Sequence, residues 1–237
     1  KLDTQRDVVK NERRWSVDNQ PYGTCWERLQ ALCYPPEHPF HHSLIGSMED
    51  LSHASLDDIA DFFRMYYTPD NAALSIAGDF DPVTIRQWVE TYFGPIARGS
   101  VSPNRPSTTL PELFGEWRTE RVPDDVALPR LFLAFRSPVF GSTEYYAASV
   151  CSAVLGLRNG SRLYRQLVRT REIAAEATAY TCDLPAGADM LMLDGTGRPG
   201  VSSDTRQEAV VEEVDAVRRE GVTAAEVARA KALSETD

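Results

Sequence analysis

One acidic residue near the start of the chain stands where a helix would be expected to carry an apolar side chain. Val8, Val9, Glu12 and Trp15 follow the i, i+1, i+4, i+7 spacing of one helix face. A carboxylate on that face either pairs at the surface with one of the two arginines that follow it, or has a metal-binding or proton-transfer role. The residues alone favour the surface pair and leave both interpretations open.

Three of the four histidines, His38, His41 and His42, lie in a loop at residues 35–42. Zinc accepts imidazole nitrogen readily, so three rings this close could supply a metal site. Prolines on both sides of His38, however, do not favour a helix that presents the rings on one face. The pattern therefore favours a surface loop in which His and Pro residues pack or cap locally.

No complete catalytic motif is found in the sequence, which has no GxSxG, no GxxxxGK[ST], no HExxH and no HxxEH. The four cysteines, Cys25, Cys33, Cys151 and Cys182, form no CxxC pair. We therefore expect buried free thiols rather than a zinc or redox site.

The composition is that of a soluble globular protein with an acidic surface. The 237 residues include 25 Lys and Arg against 35 Asp and Glu, a net charge of −10 that opposes binding to nucleic acid or anionic membranes. No run approaches the roughly 18 apolar residues of a membrane span, and no signal peptide is visible. The compartment, cytoplasm or periplasm, stays open.

Because the chain begins without Met and its last helix stops at residue 237, we expect a piece of a longer protein.

Apolar periodicity, caps and turn residues predict an α+β protein in which helices pack on sheets. Helices are expected at residues 3–15, 26–33, 55–67, 82–93, 142–155, 161–170, 204–220 and 223–237. Strands are expected at residues 72–77, 118–122, 131–135, 174–182 and 190–195, the last two as a hairpin. Capping boxes pair Ser55 with Asp58 and Thr223 with Glu226. Gly, Pro and Ser residues between 98 and 115 predict a linker.

A series of short motifs, in their order along the chain, resembles the pitrilysin/insulinase family of zinc peptidases, which includes mitochondrial processing peptidase and many bacterial zinc proteases. The motifs are VVKNERR at residues 8–14, DNQPYG at 18–23, HPF at 38–40, IG at 45–46, EDL at 49–51, FFRMYYTPDNA at 62–72 and GDFD at 78–81. Past the linker, GSRLYRQLVR at 160–169 resembles the corresponding stretch of that family's second homologous domain. Each motif is weak alone, but their shared order makes the resemblance specific, and it covers nearly the whole chain.

The resemblance implies two incomplete domains of the mitochondrial processing peptidase type, each a sheet packed with helices. Residues 1–97 would be the later part of the first, zinc-type domain, 98–115 the Pro-rich linker, and 116–237 the earlier part of the second domain. Family members bind zinc through two His of an HxxEH motif, whose Glu is the general base, and through a Glu on a later helix. Glu12 matches that third ligand, which would explain its place on an apolar stripe. HxxEH would lie upstream of Lys1, so this chain alone is expected to bind no zinc and to be inactive.

The resemblance also implies a substrate-binding arginine in the second domain, followed seven residues later by a tyrosine. Arg169 matches the arginine, with a solvated arginine at a helix end as the alternative. Glu176 occupies the position of the tyrosine, which puts that role in doubt. Tyr180 lies further along, on the same face of a strand if the alternation holds.

These features predict a fragment of a zinc-dependent metalloendopeptidase that acts on peptides or unfolded protein segments, with zinc as the cofactor of the complete parent protein. The alternative is a noncatalytic, substrate-binding partner subunit of the same family. A homodimer or heterodimer is compatible with either. No residue of this chain is predicted to be catalytic, and neither nucleic acid nor a membrane span is involved.

Overall fold

The computed structural model describes residues 1–99, 103, 106–108, 110, 115–184, 187 and 189–236, so that much of the predicted linker at 98–115 lies outside the described residues. The α-helices are α1 (Leu2–Arg13), α2 (Cys25–Cys33), α3 (Met48–His53), α4 (Leu56–Tyr66), α5 (Pro82–Phe93), α6 (Thr143–Gly156), α7 (Ser203–Glu220) and α8 (Ala224–Ser234). The strands are β1 (Arg130–Arg136), β2 (Ala174–Cys182) and β3 (Met190–Gly197), and two π-helices are π1 (Arg14–Asp18) and π2 (Tyr164–Thr170). Short 3-10 turns lie at Pro39–His41 and Pro69–Asn71. The predicted α+β class is confirmed, and none of the described helices combines the length and apolar character needed to cross a bilayer.

The chain forms two compact units. The first unit comprises Lys1–Arg13 and Ile45–Pro106, and the second unit comprises Arg14–Leu44 and Ser107–Asp237. Residues 14–44 therefore pack with the later part of the chain, although they stand early in the sequence. The predicted boundaries at residues 97 and 116 follow motif order rather than packing and stay a prediction.

In the first unit, α1 and α3 pack together through arginine side chains. The buried guanidinium of Arg13 donates to the carbonyl oxygen of Gly46 (2.9 Å), and Arg6 donates to that of Ala54 (2.5 Å). Because Gly46 precedes α3 and Ala54 follows it, the two hydrogen bonds hold both ends of α3 to α1.

Helix starts in both units follow the predicted capping boxes. Ser55 Oγ accepts from the Asp58 N–H and the Asp58 carboxylate accepts from the Ser55 N–H, which satisfies two backbone donors at the start of α4. Thr223 and Glu226 do the same for α8. Both predictions are confirmed because a cap is decided by a few adjacent residues.

Two predicted strands are not found in the described residues. Residues 72–77 form neither helix nor strand and are exposed. The described part of the first unit contains no strand, so this segment has no neighbour with which to form a ladder. Residues 118–122 are not a strand either, and an ion pair between Arg28 and Glu120 ties them to α2 instead. Both predictions were wrong because a strand depends on a partner that local sequence does not specify.

The second unit is built on an antiparallel sheet in the order β1-β3-β2. The strands predicted at 131–135, 174–182 and 190–195 are confirmed. Alternate residues of the strands pack against α6, π2 and α7 on one face of the sheet. The buried leucines of that core are Leu133, Leu155, Leu163, Leu167 and Leu193.

Close approach of α6 to β2 depends on the glycine at the end of the helix. A Cβ added to Gly156 would lie 1.8 Å from the Ala179 backbone nitrogen, a distance that no side chain could accept. The helix can therefore lie directly on the strand only with glycine at this position.

The opposite face of the sheet is covered by α2 and the loop that follows it. Tyr34, which ends α2, is 1% exposed and packs against Met190 and Met192 of β3. These methionines alternate with Leu191 and Leu193, which pack with the leucine core, so the two clusters lie on opposite faces. Residues 14–44 thus complete the packing around the sheet.

Candidate functional site

Glu12 lies in the last turn of α1, in the first unit, and its side chain is exposed. Two other residues of the predicted apolar stripe are exposed as well, Val8 by 52% and Trp15 by 74%. The backbone at this point is nevertheless fixed, because the adjacent Arg13 is buried and bonded to Gly46. Glu12 is therefore an exposed carboxylate on an anchored helix, and its role as a zinc ligand stays a prediction.

His38 belongs to the packing of the second unit. It is 2% exposed and stacks on Tyr34, with ring centroids 4.8 Å apart and planes 12° from parallel. Its Nδ1 accepts a hydrogen bond from the Phe40 N–H (3.2 Å), which caps the 3-10 turn. The stack on Tyr34 and the bond to the Phe40 N–H therefore hold the His38 ring within its own loop.

His41 and His42 also contact their own loop. His41 Nδ1 lies 2.8 Å from the Tyr34 carbonyl oxygen, and His42 Nε2 lies 2.9 Å from that of Pro36. In each of these contacts the ring nitrogen donates to a backbone carbonyl. The two nitrogens are therefore not directed at a common metal position. The geometry supports the prediction that these residues pack and cap locally, but His38 is buried rather than at the surface because its ring stacks on Tyr34.

Arg169 lies in π2 and is exposed. The two residues before it, Leu167 and Val168, are buried in the core and fix the backbone. The Thr170 hydroxyl donates to the Arg165 carbonyl oxygen (2.9 Å), which closes the end of the helix. Single π-helical turns occur often at functional sites, and sequence reasoning predicted a helix here without its π winding.

Glu176 and Tyr180 share one face of β2, as the predicted alternation requires. Both are exposed, Tyr180 by 43%, and they pair in register with Thr196 and Met192 of β3. Burial, and after it the nearby Asp194 carboxylate, raises the pKa of the Tyr180 hydroxyl. Among the described strands, β2 is at one edge of the sheet, so this face belongs to an edge strand.

A buried ion pair on the same sheet face was missed from the sequence. Asp194 is 7% exposed; its carboxylate accepts from Arg130 of β1 (2.5 Å) and from the Thr178 hydroxyl of β2 (3.0 Å). These contacts join all three strands through side chains. The available signal was Asp194 itself, which interrupts the otherwise apolar run of β3.

A polar cleft lies between π2, α7 and α8, with a volume of about 500 Å³. There Arg162 donates to both carboxylate oxygens of Glu226 at 2.8 Å. This bond is the main cause that lowers the pKa of Glu226 to about 2, while burial raises the pKa of Glu213, which also lines the cleft. None of the predicted site residues lines this cleft.

All four cysteines are free and half-buried, more exposed than predicted. Burial raises the pKa of each thiol, and that of Cys33 to about 11. Protonated thiols are weak nucleophiles and poor metal ligands. The thiols are free, as expected, and the absence of a metal or redox role stays a prediction.

The predicted site residues fall into both units, with Glu12 in the first and Arg169, Glu176 and Tyr180 in the second. Protein zinc sites use three or four ligands. Among the residues that the structure describes, no group of three or more His, Cys, Asp or Glu side chains could hold a metal ion. The described residues therefore do not fit a zinc site by themselves, and Glu12 offers one carboxylate.

Comparisons with known proteins agree with one another. Residues 53–234 match the family model described as the peptidase M16 inactive domain. The chain is 27% identical over 234 residues to the zinc protease PqqE of Helicobacter pylori, covering 98% of this chain and 52% of that protein. It is 26% identical over 155 residues to the mitochondrial-processing peptidase subunit beta of Blastocladiella emersonii, covering 65% of this chain and 32% of that subunit.

A solved structure of a protease from Helicobacter pylori has the same fold. It aligns with 100% of this chain and 57% of its own length, with a TM-score of 0.85 and 27% sequence identity. The chain spans about half the length of the curated bacterial relatives it matches.

Proposed function

Because this chain belongs to the peptidase M16 family, we propose that it is part of a zinc-dependent endopeptidase that hydrolyses peptides or unfolded protein segments. The resemblance to pitrilysin/insulinase peptidases is confirmed by the family match. The observation that carries the proposal is the similarity to a zinc protease along 98% of the chain.

In this proposal Glu12 is one zinc ligand of the complete enzyme, and HxxEH upstream of Lys1 supplies the others. Its support is the exposed carboxylate at the end of α1, beside the buried Arg13 that fixes the helix. A ligand needs such a rigid support, since metal geometry tolerates little movement.

Arg169 is proposed to bind the substrate. Its support is an exposed guanidinium on a backbone anchored by Leu167 and Val168. Arginine carries several N–H donors and no acceptor, which suits it to bind peptide carbonyl oxygens. Glu176 takes no part in this role.

The chain by itself is proposed to be inactive. The support is that one carboxylate cannot complete a zinc site and that the matched family model is described as an inactive domain. That description also favours the second candidate, a noncatalytic subunit that contributes only substrate contacts. The encoded sequence before Lys1 separates the two, since only the enzyme would carry HxxEH.

The test uses the complete encoded polypeptide. Glu12→Gln should lower zinc content by more than about tenfold and peptidase activity with it, because even residues behind the ligands contribute that much to affinity. Asp7→Asn, an exposed acid on the same helix, is the matched control and should change neither. Arg169→Gln should raise KM about tenfold with zinc content unchanged, as expected for the loss of a charged hydrogen bond. Arg218→Gln is the control and should leave KM unchanged.

Two results would overturn these assignments. Unchanged zinc content in Glu12→Gln would remove Glu12 from the metal site. One equivalent of zinc in the isolated 237-residue chain, measured by elemental analysis, would contradict its proposed dependence on upstream ligands.

A further inference from the structure

The turn between α6 and π2 contains the only asparagine of the sequence that is followed by glycine. The chain has five asparagines, and the other four precede Glu, Gln, Ala or Arg. Asn159 precedes Gly160, and a residue without a side chain leaves its backbone nitrogen open to approach. An asparagine side chain that reaches the nitrogen of the next residue can close a five-membered ring, so this pair is a candidate for covalent modification.

Asn159 is at the exposed tip of the turn, between two buried anchors. Gly156, the last residue of α6, is buried, and Ser161 is 0% exposed. The Ser161 N–H donates to the Arg158 carbonyl oxygen (3.2 Å), so Asn159 and Gly160 are the two central residues of a β-turn. The anchors therefore hold the turn in a position where Asn159 is in contact with water.

The two groups that would react are not held elsewhere by hydrogen bonds. Within the described ranges, the Asn159 amide has no hydrogen-bond partner and the Gly160 N–H donates to none. The side-chain amide of Asn71, by contrast, donates to the Tyr66 carbonyl oxygen (2.9 Å). No hydrogen bond has to break before Asn159 Cγ approaches the Gly160 nitrogen.

The side chain of Arg229, from α8, lies against Gly160. A Cβ added to Gly160 would lie 3.3 Å from Arg229 Nε and 3.7 Å from its Cζ, so the guanidinium occupies that side of the glycine. The Arg229 Nη2 is buried without a hydrogen-bond partner, and no carboxylate of the described residues pairs with this side chain. An unpaired positive charge at this place stabilises negative charge that develops on the atoms beside it.

We propose that Asn159 is a site of spontaneous deamidation, at which its side chain cyclises onto the Gly160 nitrogen while Arg229 stabilises the negative charge of that step. The modified residue is an aspartate or an isoaspartate. This chemistry belongs to the turn alone and does not depend on the proposed zinc peptidase.

The reaction needs water and no other reactant. The Gly160 nitrogen gives its proton to hydroxide and bonds to Asn159 Cγ. The bond from Cγ to Nδ2 breaks, and Nδ2 takes a proton from water and leaves as ammonia, which restores the hydroxide. Water then opens the succinimide ring at Cγ to give aspartate, or at the Asn159 backbone carbonyl carbon to give isoaspartate. Either route turns one amide into one carboxylic acid, and no atom is oxidised or reduced.

The products change the turn in two ways. Both add a negative charge next to Gly160, on which the unpaired Arg229 lies. Isoaspartate also routes the backbone through Cβ and Cγ, which lengthens the connection between the buried Gly156 and Ser161. Both changes act on the segment that leads into π2.

Peptide mapping by mass spectrometry tests the proposal on the complete encoded polypeptide, stored at neutral pH. Cleavage after glutamate releases residues 145–172, in which Asn159 is the single asparagine, and residues 13–27, in which Asn19 is the single asparagine. Asn19 is also exposed but precedes a glutamine, so its peptide is the internal control. Peptide 145–172 should gain the mass difference between an amide and an acid and give two chromatographic products, while peptide 13–27 stays unchanged. The rate should lie within about tenfold of that in the urea-unfolded protein, since exposed turns open at little cost in free energy.

Two variants identify the groups that react, and circular dichroism confirms that each is folded. Gly160→Ala should slow the conversion of Asn159 at least about tenfold, because a Cβ hinders approach to the nitrogen. Arg229→Gln should slow it about threefold, as expected for the loss of one nearby charge. Arg219→Gln, at an exposed arginine of α7, is the matched control and should leave the rate unchanged.

Three results would overturn the proposal or one of its parts. An unchanged peptide 145–172 after the time in which the urea-unfolded protein is converted would show that the fold protects Asn159. Equal rates in the wild type and Gly160→Ala would exclude attack by the Gly160 nitrogen. Equal rates in the wild type and Arg229→Gln would remove Arg229 from the reaction.

Discussion

In the second unit, Leu155 and Leu193 are each 1% exposed, whereas in the first unit Phe62 and Phe63 are each 51% exposed. Both units contain helices with apolar residues at helical spacing, so the sequence pattern is the same. The difference is that the second unit contains strands on which its helices pack, and the described part of the first unit does not. An amphipathic pattern thus indicates which side chains are suited to burial, and they are buried only where a complementary surface is present.

The largest expected contrast is between core truncations in the two units. Leu193→Ala should lower the free energy of unfolding of this chain by about 3 kcal/mol, because it leaves a cavity in a packed core. Phe62→Ala should change it by less than about 0.5 kcal/mol, since half of that ring is already in water. Urea denaturation of both variants and of the wild type measures the difference.

The same substitution in the complete polypeptide sharpens the comparison. If the remainder of a longer polypeptide covers α4, Phe62→Ala there should cost about 3 kcal/mol, as for a buried aromatic residue. A large cost already in the isolated chain would mean that the first unit has a core of its own, and the contrast between the units would be lost.

A smaller contrast is expected between the two capping boxes. Glu226 in the second unit is only 8% exposed and accepts hydrogen bonds from Arg162 and Thr223, and the Arg162 hydrogen bond chiefly lowers its pKa from 4.5 to about 2. Glu226→Gln should therefore lower the free energy of unfolding at pH 7 by about 2 kcal/mol, since it removes charge-assisted hydrogen bonds. Asp58, the counterpart in the first unit, is fully exposed, so Asp58→Asn should have a clearly smaller effect.

The pH dependence follows from the sign of that shift. A lowered folded pKa stabilises the protein fully above the unfolded value of 4.5, and this contribution is lost as the pH falls from 4.5 towards 2. The wild type should lose stability over that range, and Glu226→Gln should lose less. Parallel pH profiles for the two proteins would show that the ion pair contributes nothing to folding.

Local signals in the sequence were sufficient for much of the fold. The capping boxes at Ser55 and Thr223 and the strands around Leu133 and Leu193 depend on residues close together in the chain or on strong apolar patterns, and they were predicted correctly. The segment at 72–77 has an equally apolar pattern, yet it is not a strand here, because pairing requires a neighbour that the pattern does not identify.

The candidate site could be predicted less completely. Glu12 and Arg169 were identified through family motifs, and neither the burial nor the contacts of the described residues test their roles. The ion pair of Arg130 with Asp194 could not be predicted, because it joins residues 64 positions apart through a register that only the folded sheet defines. His38 could be placed in its loop, but not in the stacked contact with Tyr34 that buries it.

The smallest expected effect concerns the DNQPYG motif, through which residues 14–44 join the second unit. The Tyr22 hydroxyl donates to the Leu128 carbonyl oxygen (2.5 Å), and the Tyr22 N–H donates to the Asp124 carboxylate (3.2 Å). Tyr22→Phe should lower the free energy of unfolding by about 1 kcal/mol, because the Leu128 carbonyl loses its donor while the ring and the backbone contact remain. Tyr92→Phe in the first unit is the matched control and should have almost no effect, since Tyr92 is 72% exposed. If Tyr22→Phe were equally silent in urea denaturation, the Tyr22 hydroxyl would not help to hold residues 14–44 on the sheet, and the apolar packing of Tyr34 on Met190 and Met192 would be the more important contact.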